Sequence, residues 1–165
     1  MATVFIQLGS EEEPREQYLQ EAILFLKNEI GVLAGKSPVY ETEPWQMDDK
    51  QWFLNQVVQM ETVFLPKELL QKLKSHEQKY GRKQRILRTT PYERRKIDMD
   101  ILFYDDRIIH DDDLIVPHPL LHRRRFVLQP LADLAPGWVH PLLKKTIRQL
   151  LNECTDEMKI RKYKR

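Results

Sequence analysis

Asp98 and Asp100 are separated by a single residue in the run Ile97-Asp98-Met99-Asp100-Ile101-Leu102-Phe103. The run reads as a strand, and side chains on a strand alternate faces. Ile97, Met99, Ile101 and Phe103 are therefore expected to point into a core, with the two carboxylates on the opposite face, about 7 Å apart at ~3.3 Å rise per residue. Carboxylates that close repel one another and call for a cation when partly desolvated. Acceptor-only oxygens in a rigid pair suit a hard divalent ion such as Mg²⁺, which takes one or two carboxylates and completes its shell with water and phosphate. The same seven residues also fit a half-exposed strand whose wet face happens to be acidic. The neighbours favour the metal, because Arg94, Arg95 and Lys96 run straight into the strand.

Other side chains could serve a phosphorylated ligand. No Gly-rich loop ending in Lys-Ser/Thr is present, so phosphate has to be held by metal and side chains rather than by a backbone cradle. Arg82, Arg85, Arg88, Arg94, Arg95 and Arg124 are candidates, because guanidinium forks grip phosphate oxygens bidentately. For most of them a solvated surface charge is the simpler reading. Arg95, three residues ahead of Asp98 on the same element, and Arg82, just past a helix end, are the exceptions. His118 is held between Pro117 and Pro119 in extended geometry. Phe53 shares a strand face with Asn55, and an aromatic ring beside an amide makes a floor for a flat, hydrogen-bonding heterocycle. Cys154 reads as a core residue.

The elements that position these groups follow from periodicity. Thr3–Leu8 alternates as a first strand ending at Gly9-Ser10, and Ser10 with Glu13 resembles a capping box ahead of Pro14. Leu19, Ala22, Ile23, Leu26 and Ile30 recur at helical spacing until Gly31. Val32–Thr42 reads as an interrupted strand, residues 43–51 as a loop, and Trp52–Phe64 as a long strand with Leu54, Val58 and Met60 on one face and Phe53, Asn55 and Val57 on the other. Pro66 opens a helix whose stripe of Leu69, Leu70 and Leu73 carries Glu77 inward, with Gly81 as its natural stop. Residues 82–96 lack a period and read as a mobile loop able to close over substrates. After the Asp98 strand come a short hairpin, a broken helix over Leu120–Leu134, a last helix near Leu143–Glu153 and a frayed basic tail. This order predicts an α+β fold: a ferredoxin-like sandwich with a mostly antiparallel sheet and helices packed on one of its faces.

The 165 residues suit one domain spanning 1–165, and 41% hydrophobic with 32% charged residues describes a globular chain. The net charge of +2 conceals segregation. Lys79–Lys96 holds eight basic residues against Glu93 alone, whereas 105–113 is acidic. Localised positive charge suits a local anion rather than a coat of nucleic acid. The single cysteine fits a reducing compartment. No apolar run nears the ~18 residues of a span, and the start lacks a basic n-region, so a cytoplasmic protein without membrane contact is expected.

In order along the chain, Gly9-Ser10, Tyr40–Pro44, Phe53-Leu54-Asn55, Glu77 with Gly81-Arg82, Arg95-Lys96-Ile97-Asp98-Met99-Asp100-Ile101, Val116-Pro117-His118 and Arg124-Arg125-Phe126 resemble the 6-hydroxymethyl-7,8-dihydropterin pyrophosphokinases of folate biosynthesis. The resemblance spans Thr3 to about Leu151. It implies transfer of pyrophosphate from ATP to the hydroxymethyl group of a reduced pterin, releasing AMP. By the same resemblance, Asp98 and Asp100 hold two Mg²⁺ ions, Arg82 and Arg95 contact phosphates, and His118 and Arg124 assist. Glu77 and Ile101 border the nucleotide. Asn55 and the chain near Thr42, Pro44 and Trp45 read the pterin, which is sandwiched between Phe53 and Phe126. The partners implied are the two small substrates, with no nucleic acid and a monomer or weak dimer. Some positions depart from the family pattern: Glu11, Glu43, Trp45, Phe53, Asp113 and Ile115, together with Tyr92-Glu93-Arg94-Arg95 in the loop. A rival from another class is an RNA-binding module on a ferredoxin-like sheet. Such a module stacks bases on central-strand aromatics, where this chain has Asp98 and Asp100. A metal-dependent nuclease would use the same acids but leaves the Phe53-Asn55 floor without a purpose.

Overall fold

The computed structural model describes residues 1–43, 51–80 and 96–164. Ala2–Ser10 forms β1, Arg15–Glu29 forms α1, Gly31–Lys36 forms β2, Tyr40–Thr42 forms β3 and Phe53–Thr62 forms β4. Pro66–Gln78 is α2 and Asp98–Tyr104 is β5, and a small hairpin follows from Ile109–His110 (β6) and Ile115–Val116 (β7). A 3-10 turn at Leu121–Arg123 leads into α3 (Arg125–Leu134), α4 (Ile147–Glu153) and β8 (Ile160–Lys162). The main sheet runs β5-β1-β4-β3-β8, with β2 also on β4, and these pairings are antiparallel. With β1 and β4 central and β5 beside β1, the order is that of the expected β-α-β-β-α-β sandwich.

Alternation along the central strands builds two cores. Val4, Ile6, Leu8, Leu54, Val58 and Met60 face α1 and α2, where Leu19, Leu26, Leu69 and Leu73 bury against them. Phe5 and Val57 face the other way, onto Val127, Leu128 and Leu131 of α3 and Ile147 and Leu150 of α4. Helices thus cover both faces, not the single face expected. On the second face they cover only one end, and the other end carries the polar side chains of β5, β1 and β4.

Several boundaries differ from the sequence reading. The strand expected over Val32–Thr42 splits into β2 and β3 around Ser37-Pro38, where the Ser37 hydroxyl accepts from Val57 N at 3.0 Å. Ser10 is not a helix cap: it lies in β1 and its hydroxyl donates to the Lys96 carbonyl at 2.6 Å, while α1 starts after Pro14 with no side-chain cap. The last helix begins at Ile147, where Thr146 and Gln149 form a reciprocal capping box. Phe103 does not join Ile97, Met99 and Ile101. Phe5 pairs with Phe103 but Ile6 pairs with Ile101, so Leu102 is the extra residue of a β-bulge. The bulge turns Phe103 onto the α3 side, edge-on to Phe5 at 6.1 Å. The basic tail is also ordered: β8 pairs with β3, with Thr42 opposite Ile160 and Tyr40 opposite Lys162. Among the described residues no helix is long and apolar enough to cross a membrane.

His76 is the costly residue of this packing. It is buried between α1 and α2, stacked on Phe25 at 4.2 Å, and neither ring nitrogen has a hydrogen-bond partner among the described residues. Burial, with Lys79 nearby, lowers its pKa from 6.5. A depressed histidine pKa means that the unfolded chain binds the proton more tightly, so folding loses stability as pH falls below 6.5. His118, His122 and His140 are shifted the same way, chiefly by burial. Replacing His76 with Leu is expected to raise stability by about 1 kcal/mol at pH 7 and to flatten part of the loss on acidification. Denaturant melts at pH 7 and pH 5 test this. A variant less stable at both would contradict it.

Candidate active site

The site follows from strand register. Asp98 lies opposite Gly9, Gly9 lies opposite Asn55 on its other side, and Asn55 lies opposite Tyr40. Asp100 lies opposite Gln7 in the next row on the same face. Strands ~4.8 Å apart put the Asp98 and Asn55 backbones about 10 Å from each other. Gly9, between them, has no side chain to fill that width. A Cβ there would sit 3.4 Å from Asn55 Oδ1 and 4.0 Å from Asp98 Cβ, which is ordinary contact. The position tolerates a methyl sterically, but the methyl would occupy the gap between amide and carboxylate. Asp98 is half-buried and Asp100 exposed, as expected for a pair presented at a rim.

Asn55 is buried and its amide is oriented from both ends. Its Nδ2 donates to Thr42 Oγ1 at 2.7 Å, and its Oδ1 accepts from Gln7 Nε2 at 3.3 Å. A carboxamide has two N–H donors and two acceptor lone pairs, so among the described residues one of each is left over. Gln7 was not picked out from the sequence. The signal was a glutamine in the middle of a mostly apolar strand that is buried on both faces. Thr42 is fully buried, and Phe53, paired with it, is half-buried on the same face as Asn55.

Glu77 is turned inward, as its helical spacing predicted, and is buried. It meets the outer edge of β5, where its Oε2 accepts from Met99 N at 3.3 Å. Ile101 is buried in the α1–α2 core, so its side chain does not share the face of Asp98 and Asp100.

The bulge at Leu102 ties the next residues to β5. His118 N donates to the Leu102 carbonyl at 3.0 Å, two residues beyond Asp100. Its Nδ1 accepts from Leu120 N at 3.3 Å, which assigns the ring proton to Nε2. Burial, followed by the positive charge of Arg124, pushes His118 down to about 4. At neutral pH it is therefore an uncharged ring with one N–H to donate. Arg124 ends the 3-10 turn with its guanidinium 5.6 Å from the Phe126 ring centroid. Neighbouring Arg125 has a different task, since it donates to the carbonyls of Asp156 and Cys154 at 3.1 and 2.9 Å. The structure thus gathers Asp98, Asp100, Asn55, Thr42 and Phe53 on the open end of one sheet face. His118 is bonded to the same strand, and Arg124 and Phe126 stand at the start of α3. Pro44, Trp45, Arg82 and Arg95, with the loop that carries the two arginines, lie outside the described residues.

The chain and its fold are also similar to known proteins. A family model described as 7,8-dihydro-6-hydroxymethylpterin-pyrophosphokinase (HPPK) matches residues 5–136. A 2-amino-4-hydroxy-6-hydroxymethyldihydropteridine pyrophosphokinase from Aquifex aeolicus is 39% identical over 155 residues, covering 94% of both chains. One of the same name from Bacillus subtilis is 39% identical over 131 residues, 79% of this chain and 76% of that protein. The folic acid synthesis protein fol1 of Schizosaccharomyces pombe is 35% identical over 150 residues, which are 90% of this chain but 20% of that longer protein. A crystal structure of Plasmodium falciparum HPPK-DHPS with pteroate shares the fold at a TM-score of 0.74 and 18% identity, over 92% of this chain and 42% of that one. By the family match and the relatives alike, this chain belongs to the HPPK family.

Proposed function

We propose that the row running from Asp98 and Asp100 across Gly9 to Asn55 is where this family member carries out its reaction. That reaction is transfer of pyrophosphate from ATP to the hydroxymethyl group of 6-hydroxymethyl-7,8-dihydropterin, with AMP released, a step of folate synthesis. The carrying observation is the register itself: two carboxylates and a pre-oriented amide on one face, on either side of a residue without a side chain.

The donor set fits magnesium. Among the described residues, no three His, Cys, Asp or Glu side chains are grouped to hold a metal by themselves. Two carboxylates at a rim suit an ion that retains water and takes substrate phosphate oxygens, and we assign two such ions to Asp98 and Asp100. When bound, magnesium neutralises charge on the phosphate chain and helps hold it in line for attack. The protein's own groups do the rest. Asn55 offers its spare donor and acceptor to the pterin edge, near Thr42, Pro44 and Trp45, and Phe53 and Phe126 take the two ring faces. His118 donates its Nε2 proton to a phosphate oxygen without bringing a charge, while Arg82, Arg95 and Arg124 bring theirs. Glu77 borders the nucleotide at the outer edge of β5, and Ile101 does so through its main chain. No side chain is assigned as general base.

We read residues 1–165 as one catalytic domain, because α4 packs on α3 and β8 completes the sheet beyond the family-matched segment. The single cysteine suits a cytoplasmic enzyme, acting as a monomer or weak dimer without nucleic acid. An RNA-binding reading is disfavoured by the carboxylates, which would repel a phosphate backbone at the positions where bases should stack.

AMP release from ATP in the presence of the hydroxymethyl-dihydropterin is the direct assay. Asp98→Asn and Asp100→Asn are each expected to lower kcat about 100-fold or more with circular dichroism unchanged; undiminished turnover would remove the assignment. Gly9→Ala should melt within a few degrees of wild type, since its Cβ meets only ordinary contacts. It should lose about tenfold in kcat/KM, because small displacements of bound reactants are costly. Full activity in that variant would mean that the gap is not used. An NMR titration of the His118 imidazole should stay flat down to about pH 5 and move only near the depressed value of about 4. A midpoint near 6.5 would show a charged, solvated ring instead.

A further inference from the structure

We propose that the C-terminal segment Cys154–Tyr163 is a strap that fixes the two walls of the pterin pocket relative to each other, with Arg161 as its positioning residue on the β3 side. The inference rests on the pterin assignment above. One end of the strap is held at the start of α3. Arg125 N donates to Asp156 Oδ2 at 3.0 Å, its Nε to the Asp156 carbonyl at 3.1 Å and its Nη2 to the Cys154 carbonyl at 2.9 Å. Arg125 lies between Arg124 and Phe126, so these bonds fix the turn that presents both.

The other end is held on β3. Thr42, Glu41 and Tyr40 pair with Ile160, Arg161 and Lys162. Beyond the strand, Glu43 N donates to the Lys159 carbonyl and Lys159 N to Glu43 Oε1, both at 3.0 Å, and Tyr163 N donates to the Val39 carbonyl at 2.9 Å. β3 is three residues long. Without β8 it would be an edge strand paired, among the described residues, with β4 alone and otherwise tied by the Tyr40 hydroxyl to Asp133 of α3 and by Glu41 to Arg15. It carries the Thr42 hydroxyl that orients Asn55. Arg161 adds side-chain contacts. Its Nε donates to Glu41 Oε1 at 3.2 Å, and its guanidinium lies 4.1 Å from the Trp52 ring centroid. Trp52 precedes Phe53, the residue opposite Thr42. Glu41 is shared with Arg15 at 3.4 Å, and Arg15 Nη1 also donates to the Trp52 carbonyl at 2.5 Å. None of these contacts involves β5 or His118.

The consequence is an asymmetry between substrates. Loosening the strap at its β3 end frees Thr42, Asn55 and Phe53, and leaves Asp98 and Asp100 where β1 holds them. Arg161→Ala is expected to raise the KM for the pterin about fivefold, the scale of one lost ion pair and one cation–π contact, with the KM for ATP unchanged. Asp156→Ala releases the turn that presents both Phe126 and the phosphate-contacting Arg124, and should raise the KM for the pterin and for ATP together. Arg161→Lys keeps a charge for Glu41 but not a planar group over Trp52, and should fall between wild type and Arg161→Ala. Lys145→Ala, in an exposed pair with Glu153, should shift neither KM. Initial rates of AMP release against each substrate, with thermal melts to establish folding, read these outcomes. A pterin KM within twofold of wild type in both alanine variants would overturn the strap, as would an ATP KM that rises in parallel in Arg161→Ala. A wild-type protein releasing no AMP would overturn the functional reading itself and the strap with it.

Discussion

The register between β5, β1 and β4 is the constraint on which everything else hangs. Side chains on a strand alternate, so a slip of one residue on β5 would send Asp98 and Asp100 into the α1–α2 core and bring Met99 and Ile101 to the open face. Moving two carboxylates into an apolar layer is prohibitive without partners. Burial of Met99 and Ile101 among Ile6, Leu8 and Leu73 therefore fixes which way the acids point. The same register sets Gly9 opposite both Asp98 and Asn55. The apolar core thus places the carboxylates and the amide proposed to do the chemistry.

The bulge at Leu102 adds the second constraint. It ends the regular pairing just after the acidic pair, turns Phe103 into the opposite core, and leaves the Leu102 carbonyl for His118 N. A histidine far along the chain is so fastened to the strand that carries the acids, in surroundings that keep it neutral. On the side proposed for the pterin the equivalent fastening is indirect: Gln7 and Thr42 each hold one end of the Asn55 amide, and β3 is in turn held by β8. The two halves of the proposed site are built on different supports, β5 with its bulge for one and β3–β4 with the C-terminal segment for the other.

Much of this was legible in the sequence because it depends on local periodicity. The Asp-x-Asp alternation, the Phe53/Asn55 face and the inward turn of Glu77 all survive in the structure, since each needs only a strand or helix of the right phase. What was not legible depends on contacts distant in sequence. Nothing in Ile101-Leu102-Phe103 signals a bulge, because the extra residue exists only relative to Phe5 and Ile6. Ser10 and Glu13 have the spacing of a helix cap, yet the Ser10 hydroxyl is taken by Lys96, 86 residues away. The tail reads as frayed because its residues are mostly charged, and β8 becomes a strand only through the bonds that β3 offers. Gln7 stands out as a glutamine in a mostly apolar strand, but its task is defined only by Asn55 beside it.

The most direct test of the register-built site is equilibrium binding. A non-hydrolysable ATP analogue is titrated calorimetrically into the protein with and without Mg²⁺, first with wild type and then with the Asp98→Asn/Asp100→Asn double variant. If the two carboxylates seat the metal that holds the phosphate chain, wild type binds the analogue only when Mg²⁺ is present, and the double variant fails to bind it under either condition. Binding of equal strength without Mg²⁺, or undiminished Mg²⁺-dependent binding in the double variant, would contradict it.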